Sequence, residues 1–569
     1  VPRVTTRKRI IGFIALSIAM FIGILDSTII NIALPDITAY FQSTLDDTAW
    51  ISTIYILALA VCMITASKLA DQFGRKKLML IGLALFGTSS ALCGISHSLA
   101  VLIVMRLFQG IGGAIITPIV VPMGLELFGK EKMQIVGGSV GAITALAAAG
   151  GPPIGGLIIE YLDWQSVFFV NVPLALLSFV LVALFVGESY DRTVSKAVDW
   201  LGILLLTATL ALLTFALLKG NDYGWNSVSI VSMLVGSAVA LVLFILAEKR
   251  TQAPLLELGL FRELTFTASC ACYLITGFGL ACFGLIFSYF LQNALGYAAL
   301  DAAYITMFSS LTVIVAMPLG SAIAGKFGAR PINTLGLLIM GAGALLLSRL
   351  TIDASKAAMT VDMIVCGFGL GLACQAVISS IKHLPAEKSG IGSGVVNAAR
   401  QVGTCIAIAL LVSVLDASVT SAKADIQDDA VAMIQQSNIA DPVKAVMVQD
   451  TEDGLAGGGT GGVQISDLQE RLQTDIGNVM ASSAQARPSI DLAEQQAEIQ
   501  SVLDEVKADV NDKVAAAFDA TFLLAGIILI ATAFVGLFTD RKNKRFTPEA
   551  GRSLESIGLT PEPDPTSIA

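Results

Sequence analysis

Apolar residues gather along this chain in fourteen long runs: 10–34, 47–69, 77–96, 99–123, 135–160, 165–187, 200–219, 228–247, 265–292, 302–324, 332–350, 357–381, 390–415 and 517–538. Each is close to the ~20 residues that a helix needs to cross a ~30 Å hydrocarbon core. Lipid offers no partner to backbone N–H and C=O groups, so runs of this kind must be helices. The pattern predicts an all-α integral membrane protein with 14 spans. One polar interval is too long for a plain connection, residues 416–516 between the last two runs.

Charge gives the runs an orientation. Lys and Arg recur on one side only: Arg3, Arg7, Lys8 and Arg9 before span 1, Lys68 and Arg75–Lys77 after span 2, Lys130 and Lys132 after span 4, and so on to Arg541–Arg545 after span 14. The alternate short loops hold almost none, Lys219, Arg349 and Lys356 being the exceptions. By the positive-inside rule both termini are cytoplasmic and residues 416–516 are external. The first apolar run reaches Leu34, too long for a signal peptide's core, and is read as a span.

Composition agrees with a membrane protein. Hydrophobic residues make up 55% of the chain, charged residues 14%, and the mean hydropathy is +0.77. Soluble domains carry about 25% charged residues, so soluble enzymes, nucleic-acid binders and disordered chains are excluded. The net charge of −9 is local: residues 416–516 hold 18 acids against 6 bases. Apolar positions recur there with helical spacing, Ile465, Leu468, Leu472, Ile476 and Val479, then Ile499, Leu503, Val506, Val510 and Val514, on either side of a flexible tract from Gly454 to Gly462. This predicts an acidic helical hairpin whose arms prolong spans 13 and 14, either a plain spacer or a lid or lure for cations. All eight cysteines lie in apolar runs, Cys270 and Cys272 included, which argues for packing rather than disulfides or metal. His97 and His383 belong to opposite membrane faces, so no metal site is expected. No nucleotide-binding loop is present. From about Phe546 the chain is Pro/Ser/Glu-rich and expected to be disordered.

Three segments carry more than composition. Residues 67–77, Ser67-Lys68-Leu69-Ala70-Asp71-Gln72-Phe73-Gly74-Arg75-Lys76-Lys77, form a tight turn in which Asp71 and Arg75 can pair or cap helix ends. A weaker echo, Gly325 to Arg330, follows span 10 and suggests two related halves of six spans with spans 7–8 inserted between them. Span 4 carries Arg106-Leu107-Phe108-Gln109-Gly110-Ile111-Gly112-Gly113-Ala114, a costly buried arginine among glycines that admit a close neighbour. Span 5 ends in Gly150-Gly151-Pro152-Pro153-Ile154-Gly155-Gly156, where two prolines favour a bend.

With Leu25–Pro35 (LDSTIINIALP) and Trp164–Pro173 (WQSVFFVNVP), these segments resemble the major facilitator superfamily, and within it the fourteen-span drug:proton antiporters that include quaternary-ammonium efflux pumps. The resemblance covers nearly the whole chain. Ser67 and Ala147 stand where the loop and antiporter motifs have Gly, and the echo has Gly325 in place of the acid, so a second latch must be asymmetric. The resemblance implies two six-helix bundles rocking around a central cavity, with Asp71, Gly74 and Arg75 as a gate latch and Gly151, Pro152, Gly155 and Gly156 as an antiporter kink. The expected division is 1–190 for the first bundle, 191–250 for two linker spans, 251–415 for spans 9–13, 416–516 for the hairpin, 517–540 for the last span and 541–569 for a cytoplasmic tail.

Depth singles out one acid. Asp26 lies roughly 12 Å below the outer end of span 1, and Arg106 about 10 Å inside the outer end of span 4, so they share a level. An embedded carboxylate is tolerable only when paired or protonated, which is what a proton carrier needs. Asp26 and Arg106 are therefore the candidate coupling and cation site. Asn31, Tyr55, Gln109, Gln375, Asn397, Arg400 and Gln401 are candidates for the cavity lining, with helix–helix ties as the alternative. The expected activity is proton-coupled export of lipophilic, often cationic, drugs from a bacterial plasma membrane. The alternatives are export of a lipid or cell-envelope precursor, or a scaffold built around the external segment. No enzyme activity, metal or resident cofactor is expected; the partners are small substrates, protons and the bilayer, with no nucleic acid and the chain as a monomer.

Overall fold

The computed structural model of the protein describes residues 6–43, 45–189, 199–251, 254–256, 258–352, 354–382, 384, 389–437, 439, 444–445, 447–449 and 492–540. Fourteen helices among these are long and apolar enough to cross a membrane, one for each predicted run. They are α1 (Thr6–Ile30), α2 (Trp50–Phe73), α3 (Arg75–Gly94), α4 (Leu99–Phe128), α5 (Ile135–Tyr161), α6 (Ser166–Phe185), α7 (Trp200–Tyr223), α8 (Val228–Glu248), α9 (Leu264–Gln292), α10 (Leu300–Phe327), α11 (Ala329–Leu347), α12 (Lys356–Lys382), α13 (Gly390–Gln436) and α14 (Ala508–Phe538). No strand occurs among the described residues.

Packing separates the helices into groups. In the first, α1 lies against α4, α5 and α6, and α4 against α2 and α3. In the second, α9 packs on α13, α12 on α10 and α11, and α14 on α11 and α13. Two seams join the groups, α5 with α10, and α2 and α4 with α13. The inserted pair α7 and α8 packs on itself, and α7 also touches α2 and α13. Glycine makes the tightest crossings possible: a Cβ on Gly112 would lie 2.9 Å from the Phe86 backbone nitrogen of α3. Without glycine there, α3 and α4 could not approach so closely.

The last part of α9 is wound more loosely, with i→i+5 turns at Cys282–Ile286 and Phe290–Ala294. Phe287 and Phe290 in that stretch meet Phe518 and Phe522 of α14. The eight cysteines are free.

The helix of α13 does not stop at the end of its apolar run but continues as one element, Ser389–Gln436. The helix that holds α14 begins early, at Leu492. Ile426, Ala430 and Ile434 are buried on one arm, and Val502, Val506 and Val510 on the other. Lys513 pairs with Asp429 across the arms and with Asp509 on its own arm at 2.8 Å. Extending a buried helix costs less than starting a new one, because the nucleus is already paid for. The glycine tract at 454–462, the apolar positions 465–479 and the tail beyond 540 lie outside the described residues.

Candidate functional site

The first group of helices encloses one charge network. Asp26 on α1 and Arg106 on α4 are both 0% exposed. The Arg106 guanidinium Nη1 pairs with Asp26 Oδ2, and its Nε donates to the Ile51 carbonyl of α2 at 3.1 Å. The other carboxylate oxygen accepts from Gln109 Nε2 at 2.9 Å and from Asn171 Nδ2 of α6 at 2.7 Å. Gln109 spans the pair, its Oε1 taking a second bond from Arg106 Nη1 at 2.9 Å. Ser90 of α3 accepts from Gln109 at 3.0 Å. The Tyr55 ring lies 4.3 Å from the guanidinium carbon, and its hydroxyl donates to the Gly23 carbonyl at 2.8 Å. Five helices thus converge on one carboxylate.

The arrangement is neutral as a unit, which is how a charge survives in low dielectric. Adding a proton to Asp26 would replace an acceptor by a donor and leave Arg106 without its counter-charge. One added proton would therefore break the ion pair that the network makes here. It is also closed: with Asp26 fully enclosed, no substrate cation reaches the carboxylate in this conformation.

At the membrane face that bears residues 67–77, a second network joins the two groups. Asp71 Oδ1 pairs with Arg75 Nε at 2.9 Å, and Arg75 Nη1 pairs with Glu126 at the end of α4. The other Asp71 oxygen accepts from the Ile391 backbone N–H at 3.1 Å, at the N-terminus of α13. A carboxylate is favoured there by the helix dipole. A Cβ on Gly390 would lie 2.2 Å from Asp71 Oδ1, and one on Gly394 2.7 Å from Ser67 Cβ, so α2 and α13 touch at this face. Gly74 has φ 116, a left-handed conformation that favours glycine. Next to it Glu188, after α6, accepts from the backbone N–H groups of Lys76 at 3.0 Å and Lys77 at 3.1 Å.

The echo in the second half does have an acid, supplied from elsewhere. Asp540, just beyond α14, accepts from the Ala329 backbone N–H at 3.1 Å and pairs with Lys382 at 2.9 Å. Arg330 Nε donates to the Thr539 carbonyl at 3.1 Å. The element built around Gly325 to Arg330 is therefore held by the end of the last span, not by the loop itself.

The span 5 motif sits in a seam. A Cβ on Gly151 would be 2.0 Å from Thr28 Oγ1 of α1, and one on Gly156 2.7 Å from Leu300 Cδ1 of α10. Gly155 is buried. The Pro152 side chain is outside the described residues. The helix runs unbroken from Met133 to Tyr161.

The expected cavity lining divides. Gln109 and Tyr55 belong to the Asp26 network and are buried in it. Gln375 is 1% exposed and ties α12 to α10, donating to the Met317 carbonyl at 2.9 Å and accepting from Ser321 at 2.8 Å. Asn397 turns back on its own helix, to the Ser393 carbonyl at 2.9 Å. In this conformation Gln109, Tyr55 and Gln375 are therefore helix–helix ties, the alternative reading of these positions, and Asn397 is tied within its own helix. Arg400 and Gln401 are half-buried. The Asn31 side chain lies outside the described residues. Asn171, Ser90, Glu126 and Glu188 complete the two networks without having been singled out. Asn171 stands inside the quoted WQSVFFVNVP segment, so the signal was present for that one alone. An acid in α14, Asp519, is half-buried with its Oδ1 unpartnered among the described residues.

Residues 16–408 match the family profile of the Major Facilitator Superfamily. The chain is 33% identical to the multidrug resistance protein Stp of Mycobacterium tuberculosis over 72% of its length and 76% of the relative's. It is 31% identical to the multidrug transporter protein MdtP of Bacillus subtilis, again over 72% and 76%. It is 29% identical to the tetracenomycin C resistance and export protein of Streptomyces glaucescens, over 70% and 74%. Among solved structures it is similar to the human organic anion transporter MFSD10, with TM-score 0.53, 15% identity and coverage of 71% and 93%, a likeness of fold alone.

Proposed function

The chain belongs to the Major Facilitator Superfamily, and on that premise we propose that it exports lipophilic drugs in exchange for protons, with Asp26 as the proton site. The observation that supports this most is the enclosed Asp26–Arg106–Gln109–Asn171 network, whose pairing one proton would undo.

In this reading the face with residues 67–77 is cytoplasmic, as its basic residues suggest. The contacts of Asp71 and Ser67 with α13 then close that side. A proton entering from outside neutralises Asp26 and frees Arg106 to find other acceptors. α1 and α4 shift against each other, the latch at Arg75 and Glu126 on the far end of α4 loosens, and the cytoplasmic side opens. Substrate then binds, the proton leaves to the cytoplasm, and the network re-forms. The glycines of α5 supply the smooth wall along which α1 and α10 slide. Lipophilic cations remain within the proposed range, drawn by the acidic hairpin, but they do not dock on Asp26 itself.

The test is transport in proteoliposomes under an imposed pH gradient, following a panel of lipophilic dyes with ethidium among them. Wild type is expected to move dye only with the gradient, and Asp26→Asn to move none against a concentration gradient. Gradient-driven transport by Asp26→Asn at the wild-type rate would contradict the assignment.

A further inference from the structure

Arg400 lies 11 residues into the helix Ser389–Gln436, roughly 16 Å from its first turn by helical rise, near mid-membrane. A guanidinium at that depth is costly and ordinarily has a carboxylate beside it. Here, among the described residues, no carboxylate pairs with Arg400, and its buried Nε has no hydrogen-bond partner. Its company is the Tyr273 ring of α9, 5.5 Å from the guanidinium carbon.

The position is built rather than loose. A Cβ on Gly277 would lie 2.1 Å from the Arg400 carbonyl oxygen, and one on Gly403 2.0 Å from that of Leu274. Thr404 adds a bond to the Gly277 carbonyl at 3.1 Å. The backbones of α9 and α13 are therefore in contact on both sides of Arg400, which fixes its backbone, while the residue as a whole is half-buried. α13 also forms one seam between the helix groups, against α2. An unpaired guanidinium on a half-buried residue, beside an aromatic ring, has the chemistry of an anion receptor.

We propose that Arg400, with Tyr273, binds an acidic oxygen group (carboxylate, phenolate or phosphate) carried on an otherwise apolar substrate. The proposal rests on the export reading and adds to it the charge of one substrate class. The ring lies beside the guanidinium, and the unpartnered Nε is a donor available for one of the two parallel bonds that a carboxylate accepts.

The test is equilibrium binding to the purified full chain in neutral detergent micelles, with empty micelles subtracted. The probes are 1-pyrenebutyrate and 1-pyrenebutanol, alike except for the acid. Wild type should bind the butyrate tenfold or more tightly than the alcohol. Arg400→Gln should lose that preference and keep its affinity for the alcohol, which also reports that the variant is folded; Arg400→Lys should keep part of it. A wild-type ratio near one overturns the proposal, and so does a ratio that survives in Arg400→Gln. The assay uses no gradient, so failure of proton coupling leaves it intact, and Asp26→Asn should show the wild-type ratio. Displacement of the butyrate by phosphatidylglycerol but not by phosphatidylcholine makes a lipid headgroup the source of the anion. No displacement by either makes the occupant a free acid.

Discussion

Two arginines lie deep in the membrane part of this chain, one in each group of helices, and they are kept in opposite ways. Arg106 donates to Asp26, Gln109 and the Ile51 carbonyl and is fully enclosed, with only its Nη2 unpartnered among the described residues. Arg400 rests against Tyr273 and has no carboxylate among the described residues. The first is an internal equilibrium, sensitive to whatever protonates its partner. The second is an unmet demand, sensitive to whatever enters from outside. The two arrangements fall in different groups of helices. The difference also sets what each residue does for stability.

The largest effect is expected from removing one partner of the enclosed pair. Arg106→Ala leaves a buried carboxylate unpaired and should cost about 3–5 kcal/mol. Arg400→Ala loses only its contact with Tyr273, about 0.5–1 kcal/mol. Thermal unfolding of the two purified variants side by side checks this, and equal losses would break the comparison. Next, joining Asp26→Asn to Arg106→Gln removes both charges at once and should recover at least about 2 kcal/mol relative to Arg106→Gln alone. The same unfolding assay reads that recovery, and additive losses would mean that the two do not act as a pair.

Smaller effects test the walls around the network. Gly151 packs on Thr28, two residues after Asp26. Gly151→Ala should displace α1 and cost about 1–3 kcal/mol. Gly141→Ala meets only the flexible end of Met317 and should cost less. Stability and dye-transport rate of each variant report the order. Asp71→Asn should weaken the tie to the first turn of α13 by about 1 kcal/mol. Hydrogen exchange at the Ile391 amide should then quicken several-fold, while exchange in the core of α4 stays unchanged.

The spans were legible because lipid imposes a simple rule: long apolar runs become helices, and their ends show as basic loops. Asp26 and Arg106 could be paired from depth alone, since both lie on helices of known direction. What the chain does not spell out is which side of a helix a polar group occupies. Gln109, Tyr55 and Gln375 look alike as isolated polar residues in apolar runs, yet all three face neighbouring helices. Glu126, Glu188 and Asp540 sit at span ends, where charge is expected for topology alone, so their contacts could not be anticipated. The acid missing at Gly325 is supplied over 200 residues later in the chain, a pairing that only the folded arrangement makes visible. Arg400 was legible in sequence as a polar candidate for the cavity lining, but not as a guanidinium without a carboxylate. Its significance lies in the partner it lacks.

The central claim is that Asp26 exchanges one proton as the transporter changes state. The most direct measurement is proton release from the purified full chain in weakly buffered detergent solution when a transported dye is added. The account predicts release of a proton on binding for wild type and none for Asp26→Asn, with dye affinity retained. Equal proton release from both would place the exchanging group elsewhere and leave the Asp26–Arg106 pair as a structural tie.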